Sequence, residues 1–342
     1  MLNNQYELLQ TVRGYQQAAV IMALVELELC DVLAQQELTA LELAARIGLQ
    51  PRPLAALLAA AAASGLLQVQ SDGRFGNSEL SLACLVKTSP RYLGDSIKSQ
   101  ADQYLGYARL AEAVREGSQV LPDLQSFDSG EGKANVALRR LLLGLHSGGK
   151  QVLPLLLPQL APYLATAQNL LDVGCGVGTY ALAFAEHYTQ LKVTLLDQSP
   201  VLEIAAEIVA TSPAHSRVTI LPADYHHHDF GLDSYDIVFF SQVLRTEPTV
   251  VIQNLLQRAA HALKKGGVVA IYDTWLAADR VAPVENVFQN LTLALMYAEG
   301  GLFTSNDLSS WLKSASFATP QFVPITVARP MLLTIAQVNK ED

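Results

Sequence analysis

Leu171-Asp-Val-Gly-Cys-Gly-Val-Gly178 is the stretch on which the reading of this chain turns. It completes an apolar, strand-like run, Asn169-Leu-Leu-Asp-Val173, and opens a helical segment. Glycines at 174, 176 and 178 let the backbone come close to a ligand, and the helix N-terminus behind them offers unpaired N–H groups. Many nucleotide folds share such a turn, so by itself it does not name the ligand. Its spacing departs from the dinucleotide fingerprint, because the two residues between second and third glycine are missing.

Outward from this turn, short branched runs alternate with helical segments. Leu191–Asp197, Val218–Leu221, Asp236–Phe240 and Val268–Asp273 read as buried strands, and Val250–Leu263 as one of the helices between them. That alternation predicts a doubly wound, Rossmann-like α/β sheet, to which Gln321–Ile325 and Met331–Gln337 add two more strands. Asp197 ends the second strand, 19 residues beyond Gly178, where a carboxylate meets ribose hydroxyls. Asp224, in Pro222-Ala-Asp-Tyr225, ends the third strand, where a carboxylate meets an adenine amino group with Tyr225 beside it. Ser241 stands at the end of the fourth strand, next to the same site. With Asp172 in the first turn, this order of strand ends fits S-adenosylmethionine (SAM).

The N-terminal part has a different character. Helical patterning runs from Tyr15 to about Gly65, with a capping-box start at Thr39-Ala-Leu-Glu42 and a stop at Gly48. Leu66–Gln70 and Phe75 flank Ser71-Asp-Gly-Arg74, which predicts a hairpin. Helices followed by a hairpin make a winged-helix unit. Between Glu37 and Gln70 its only basic residues are Arg46 and Arg52, which suits a protein interface rather than a nucleic-acid surface. The expected domains are 1–88 for dimerisation, 89–166 as a helical bridge lining the substrate pocket, and 167–342 for SAM. A Gly/Ser-rich break interrupts the bridge at Asp123–Lys133.

Bulk composition agrees. The chain has 342 residues, half of them hydrophobic and 16% charged, enough to bury large cores. A net charge of −9 argues against a nucleic-acid partner. The apolar stretch Leu54–Leu67 is too short to span a bilayer, and the N-terminus shows no secretory pattern. Three scattered cysteines, Cys30, Cys84 and Cys175, suit a reducing compartment, so a cytoplasmic location is expected.

Asp172-Val-Gly-Cys-Gly-Val-Gly178, Asp197, Asp224 and Lys264-Lys-Gly-Gly-Val268 resemble the motifs of class I SAM-dependent methyltransferases. Leu38–Gly48 and Ala62–Leu67 are similar to the dimerisation domain of the plant caffeic-acid-type and bacterial small-molecule O-methyltransferases. The resemblance implies a homodimer, with N-terminal helices contributed to the partner's pocket, acting on a small-molecule acceptor.

The same resemblance exposes a departure. Those enzymes carry a catalytic histidine after the fourth strand, and here Val243-Leu-Arg-Thr-Glu-Pro248 puts Arg245 in its place. Asp273 matches one of the two carboxylates that flank the histidine, but the glutamate is missing from Gly300-Gly-Leu-Phe-Thr304. Arginine stays protonated and is no general base. Three readings follow for the proton. The acceptor arrives as an anion or a nucleophilic carbon, with Arg245 anchoring it or standing in a plain ion pair with Glu247 or Asp273. Alternatively His146 is the base, or a metal serves, an idea that His226-His-His228 invites but its spacing does not support. Tyr297 and Phe303, with Tyr104 and Tyr107, are expected either to shape an aromatic pocket or to belong to the core. Absence of the histidine also resembles the bacteriochlorophyllide ring-carbon methyltransferase, which points to carbon as well as oxygen acceptors. The alternative function is a SAM-binding descendant that catalyses cyclisation, decarboxylation or hydroxylation.

Overall fold

A computed structural model describes residues 3–117, 119–121, 133–327 and 329–340. The predicted Gly/Ser-rich break, except for Lys133, lies outside the described residues. The chain forms two compact units, Met1–Leu105 with Leu143–Gly148, and Gly106–Leu142 with Gly149–Asp342.

The first unit contains helices α1 (Gln5–Glu26), α2 (Leu29–Gln35), α3 (Ala40–Ile47) and α4 (Pro51–Ala63), then strands β1 (Leu67–Val69) and β2 (Phe75–Asn77) and helix α5 (Glu79–Cys84). α3 begins where the capping box predicts: Thr39 Oγ1 accepts from Glu42 N at 3.3 Å and Glu42 Oε2 accepts from Thr39 N at 2.8 Å. It ends at Gly48 with φ +73°, a left-handed cap. The wing turns at Asp72-Gly73 and is tied to α3 by Arg74, which donates to both Glu42 carboxylate oxygens at 2.8 and 2.9 Å. Leu24, Leu29, Leu43 and Leu58 are wholly buried at its centre. Helices α6 (Gly94–Ala108), α7 (Leu110–Glu116) and α8 (Lys133–Leu164) follow, and the stretch Leu143–Gly148 of α8 belongs with this first unit.

In the second unit strand and helix alternate: β3 (Asn169–Val173), α9 (Thr179–His187), β4 (Lys192–Asp197), α10 (Ser199–Thr211), β5 (Val218–Pro222), β6 (Tyr235–Ser241), α11 (Thr249–Ala262), β7 (Leu263–Leu276), α12 (Val284–Met296), β8 (Phe303–Thr304), α13 (Ser305–Ser314), β9 (Gln321–Thr326) and β10 (Pro330–Gln337). The sheet order is β5-β4-β3-β6-β7-β10-β9, with β8 alongside the end of β7. The strands from β5 to β7 are parallel and β10 is antiparallel to both its neighbours.

Both faces of this sheet are covered, which is why its strands read as unbroken apolar runs. Leu170, Leu195 and Phe239 point to one layer with Phe184 of α9 and Leu160 of α8. Their neighbours Leu171, Leu196, Val238 and Phe240 point to the other, against Leu255 and Leu256 of α11 and Leu308 of α13. At about 1.5–3 kcal/mol for each fully buried large side chain, these two layers dominate the stability of the unit. The connections reverse direction at β3, so its C-terminal end faces the crevice where such sheets take ligands.

Candidate active site

The turn after β3 folds as its glycines require. Gly174, Gly176 and Gly178 all have positive φ, at +65°, +56° and +74°. A Cβ at Gly174 would lie 2.6 Å from Val243, and one at Gly178 would lie 2.8 Å from Leu195, so packing also excludes side chains there. At Gly176 only Leu142 comes within 4 Å, at 3.8 Å, which leaves that backbone open to a ligand.

Around this turn the acidic strand ends gather. Asp197 accepts N–H bonds from Gly176 and Gln198, both at 2.8 Å, while burial pushes its carboxyl up to about 6. Asp172 is buried, its Oδ1 has no hydrogen-bond partner among the described residues, and burial together with Asp197 raises it well above the usual carboxylate range. Two desolvated carboxylates invite a cation and hydroxyl donors. SAM brings both: a sulfonium and an ammonium for the acidic end, and ribose hydroxyls for Asp197. The residues present therefore fit this group.

Asp224 is half-exposed at the start of the loop after β5. Its Oδ1 accepts from the backbone N–H of His226 at 2.9 Å and meets His226 Nδ1 at 2.6 Å. The other ring nitrogen of His226 lies 3.0 Å from Oε2 of buried Glu247, whose Oε1 accepts from the Tyr225 hydroxyl at 2.6 Å. Glu247 first, then Asp224, raise the His226 imidazole to about 9 against the opposing effect of burial. His226 thus bridges two carboxylates, while His227 is exposed and the His228 carbonyl accepts from Arg258. Among the described residues no three His, Cys, Asp or Glu side chains are placed to hold a metal ion.

Beyond Ser241, the left-handed Gln242 (φ +61°) turns the chain, and a single 3-10 turn, Leu244–Thr246, carries Arg245. The Ser241 side chain lies near Tyr180, and Tyr180 packs edge-on to Tyr272. Arg245 is 11% exposed at its side chain, with Nη1 donating to Thr274 Oγ1 at 3.3 Å and lying 3.8 Å from Asp273 Oδ1. Asp273 in turn accepts the Arg245 backbone N–H at 3.3 Å and the Thr274 N–H at 2.8 Å. Of the two ion pairs weighed from the sequence, the one with Asp273 is formed, and Glu247 is engaged by Tyr225 and His226. The Arg245 Nε remains buried without a partner among the described residues.

The missing glutamate has a structural counterpart. Gly301 donates to the Arg245 carbonyl at 2.9 Å, and a Cβ on Gly300 would lie 2.7 Å from the Thr246 carbonyl oxygen. Leu302, which takes the glutamate position, is buried with Leu276, Met296 and Tyr297. Of the aromatic residues, Phe303 proves to be core, stacked edge-on with Trp311, and Tyr297 is buried too. The Tyr107 hydroxyl sits 2.6 Å from Thr292 Oγ1 on α12. Tyr104 and His146 belong to the first unit. Glu247 and His226 were not assigned joint roles from the sequence; their pairing spans 21 positions and leaves no local pattern.

A family model for the O-methyltransferase domain matches residues 107–318, and one for the O-methyltransferase dimerisation domain matches residues 9–87. The chain is 26% identical over 309 residues to 3-hydroxy-5-methyl-1-naphthoate 3-O-methyltransferase of Streptomyces sahachiroi, covering 88% of this chain and 86% of that one. It is 27% identical over 291 residues to L-tyrosine C(3)-methyltransferase of Streptomyces lavendulae, covering 82% and 77%. Among solved structures, human N-acetylserotonin methyltransferase in complex with SAM superposes with a TM-score of 0.83 at 23% identity over 99% of each chain.

Proposed function

The chain belongs to the O-methyltransferase family, and from that membership we propose that it methylates an oxygen or carbon of a small aromatic or polycyclic acceptor without a histidine base. It is a SAM-dependent methyltransferase, a reading favoured over a non-methylating descendant. The observation that carries the proposal is Arg245, held by Thr274 and Asp273 on the turn after β6.

SAM supplies an activated methyl group on a sulfonium centre. The backbone of Gly174, Gly176 and Gly178 and the side chains of Asp172, Asp197, Asp224, Tyr225 and Ser241 are assigned to holding it. Asp273 keeps Arg245 in place, and the guanidinium stays protonated at any working pH. It therefore stabilises negative charge on the acceptor instead of removing a proton. An acceptor that arrives as a phenolate, an enolate or an activated carbon needs only orientation toward the methyl. The two relatives named above are a naphthoate 3-O-methyltransferase and an L-tyrosine C(3)-methyltransferase, which supports an aromatic acceptor and leaves both atom types open.

Two copies are assigned to pair through the first unit, which matches the dimerisation domain. No helix among the described residues is long and apolar enough to cross a membrane. The three free cysteines suit the cytoplasm, where SAM is available.

Methyl-labelled SAM with a panel of hydroxyaryl acceptors tests the reading. Labelled product is expected, with Arg245→Ala raising the acceptor KM at least tenfold and leaving SAM affinity within twofold. Activity that survives Arg245→Ala unchanged but is lost in His146→Ala would move the proton step to His146 and overturn the proposal.

A further inference from the structure

A second arginine approaches the site from the far side of the sheet order. β10 runs antiparallel to β7, with Met331 opposite Thr274, the residue whose hydroxyl receives Arg245. Arg329 stands two positions ahead of Met331, where β10 enters the sheet. Its Nη1 donates to the Gln289 side-chain oxygen on α12. One turn earlier on that helix, Asn286 donates to the carbonyls of Trp275 and Pro330, both at 2.8 Å, and so fastens α12 to β7 and β10.

Thr274, which receives Arg245, and Met331, two residues beyond Arg329, face each other across the β7–β10 pair, so the two arginines serve the same end of these strands. Burial first, then the charge of Arg245, pushes Arg329 below its ordinary value, which marks a like-charge pair held out of bulk water. One carboxylate, Asp273, faces Arg245, and among the described residues none pairs with Arg329. A guanidinium offers five N–H donors, yet each of these two makes one side-chain hydrogen bond within the described residues. Two half-used forks with one spare positive charge between them form the half of an ion-pair site that a ligand completes.

We propose that Arg245 and Arg329 form a carboxylate subsite, so that the acceptor is an aromatic acid whose carboxylate lies between the two guanidiniums. Thr274 and Gln289 set the planes of the two forks. This deepens the function proposed above and rests on the acceptor occupying the sheet edge beside Arg245. Two planar cations favour a delocalised two-oxygen anion over a neutral amide of the same shape, so the subsite discriminates by charge rather than by size.

Equilibrium titration of the full-length protein, saturated with S-adenosylhomocysteine, reads this without turnover. The probes are benzoate and 2-naphthoate against benzamide and 2-naphthamide. The wild type is expected to bind at least one carboxylate tenfold or more tightly than its amide. Arg329→Gln is expected to cut that preference at least fivefold, with S-adenosylhomocysteine affinity unchanged. Gln289→Glu keeps the arginine and supplies an internal carboxylate, and it is expected to cut the preference as well, which covers the case in which Arg329→Gln does not fold. No preference in the wild type, or an intact preference in both variants, overturns the subsite. Carboxylate preference without any label transfer to hydroxyaryl acceptors would sink the methylation reading and leave the subsite standing.

Discussion

Asp197 holds two opposed influences on one carboxyl group. The N–H groups of Gly176 and Gln198 favour its ionised form, and burial outweighs them, bringing it to about 6. An ionised carboxylate is the better acceptor for ribose hydroxyls, so cofactor binding should demand that the proton leave. The sign follows: SAM affinity is full above pH 7 and weakens as pH falls through 6. At pH 5 the dissociation constant should be up to about tenfold higher than at pH 7, the fraction set by one group titrating near 6. Calorimetric titration at pH 5, 6 and 7 checks it. Asp197→Asn should bind weakly at every pH, with the slope gone. His226, raised to about 9, does not change charge across that range and does not confuse the reading. A wild-type affinity that is level from pH 5 to 7 would remove Asp197 from the ribose role.

The loop after β5 and the turn after β6 are separate elements joined by one imidazole. His226 reaches Asp224 on its own loop and Glu247 just past Arg245, so its charge ties the loop after β5 to the turn that carries Arg245. Its folded value of about 9 exceeds the ordinary 6.5, which means the folded state holds the proton more tightly than the unfolded chain. The stabilisation is therefore complete below pH 6.5 and lost as pH rises through 9. Denaturant unfolding should show a loss on the order of 1–2 kcal/mol between those limits, less than a fully buried pair because the imidazole is partly exposed. His226→Gln should be less stable at pH 6.5 and nearly level across the interval; a wild type equally stable at both ends would dissolve the bridge. This tie was not legible in the sequence, where the three histidines invited a metal that their spacing did not support and Glu247 was one of two candidate partners for Arg245. The strands were legible, because burial on both faces leaves unbroken apolar runs such as Asp236–Phe240. So was α3, whose cap is written within four residues. β8, two residues long, carries no pattern of its own and exists only because Trp275 and Leu276 extend β7 far enough to pair with it. Phe303 stayed open between pocket and core for the same reason: its place in the core depends on Trp311 of a later helix.

At the scale of the molecule, α1 poses the remaining question. Of its 22 residues only Leu24 and Val25 are buried, and Leu8, Val12 and Tyr15 are exposed at helical spacing on one stripe. A stripe of this kind in a unit that matches a dimerisation domain calls for a second copy. Covering each such side chain is worth about 1.5–3 kcal/mol, so three per chain supply much of what a stable dimer requires. The wild type should sediment at twice 36.9 kDa, about 74 kDa, at micromolar concentration. Leu8→Asp with Val12→Asp places two carboxylates in the seam and should give a monomer of about half that mass. Its SAM affinity should stay within threefold, since Asp172, Asp197 and the glycine turn all lie in the second unit. Its label transfer should fall at least tenfold, because the family resemblance has each copy complete its partner's acceptor pocket. A monomeric wild type would refute the pairing outright. A monomeric variant with full activity would keep the dimer but show that each chain closes its own pocket.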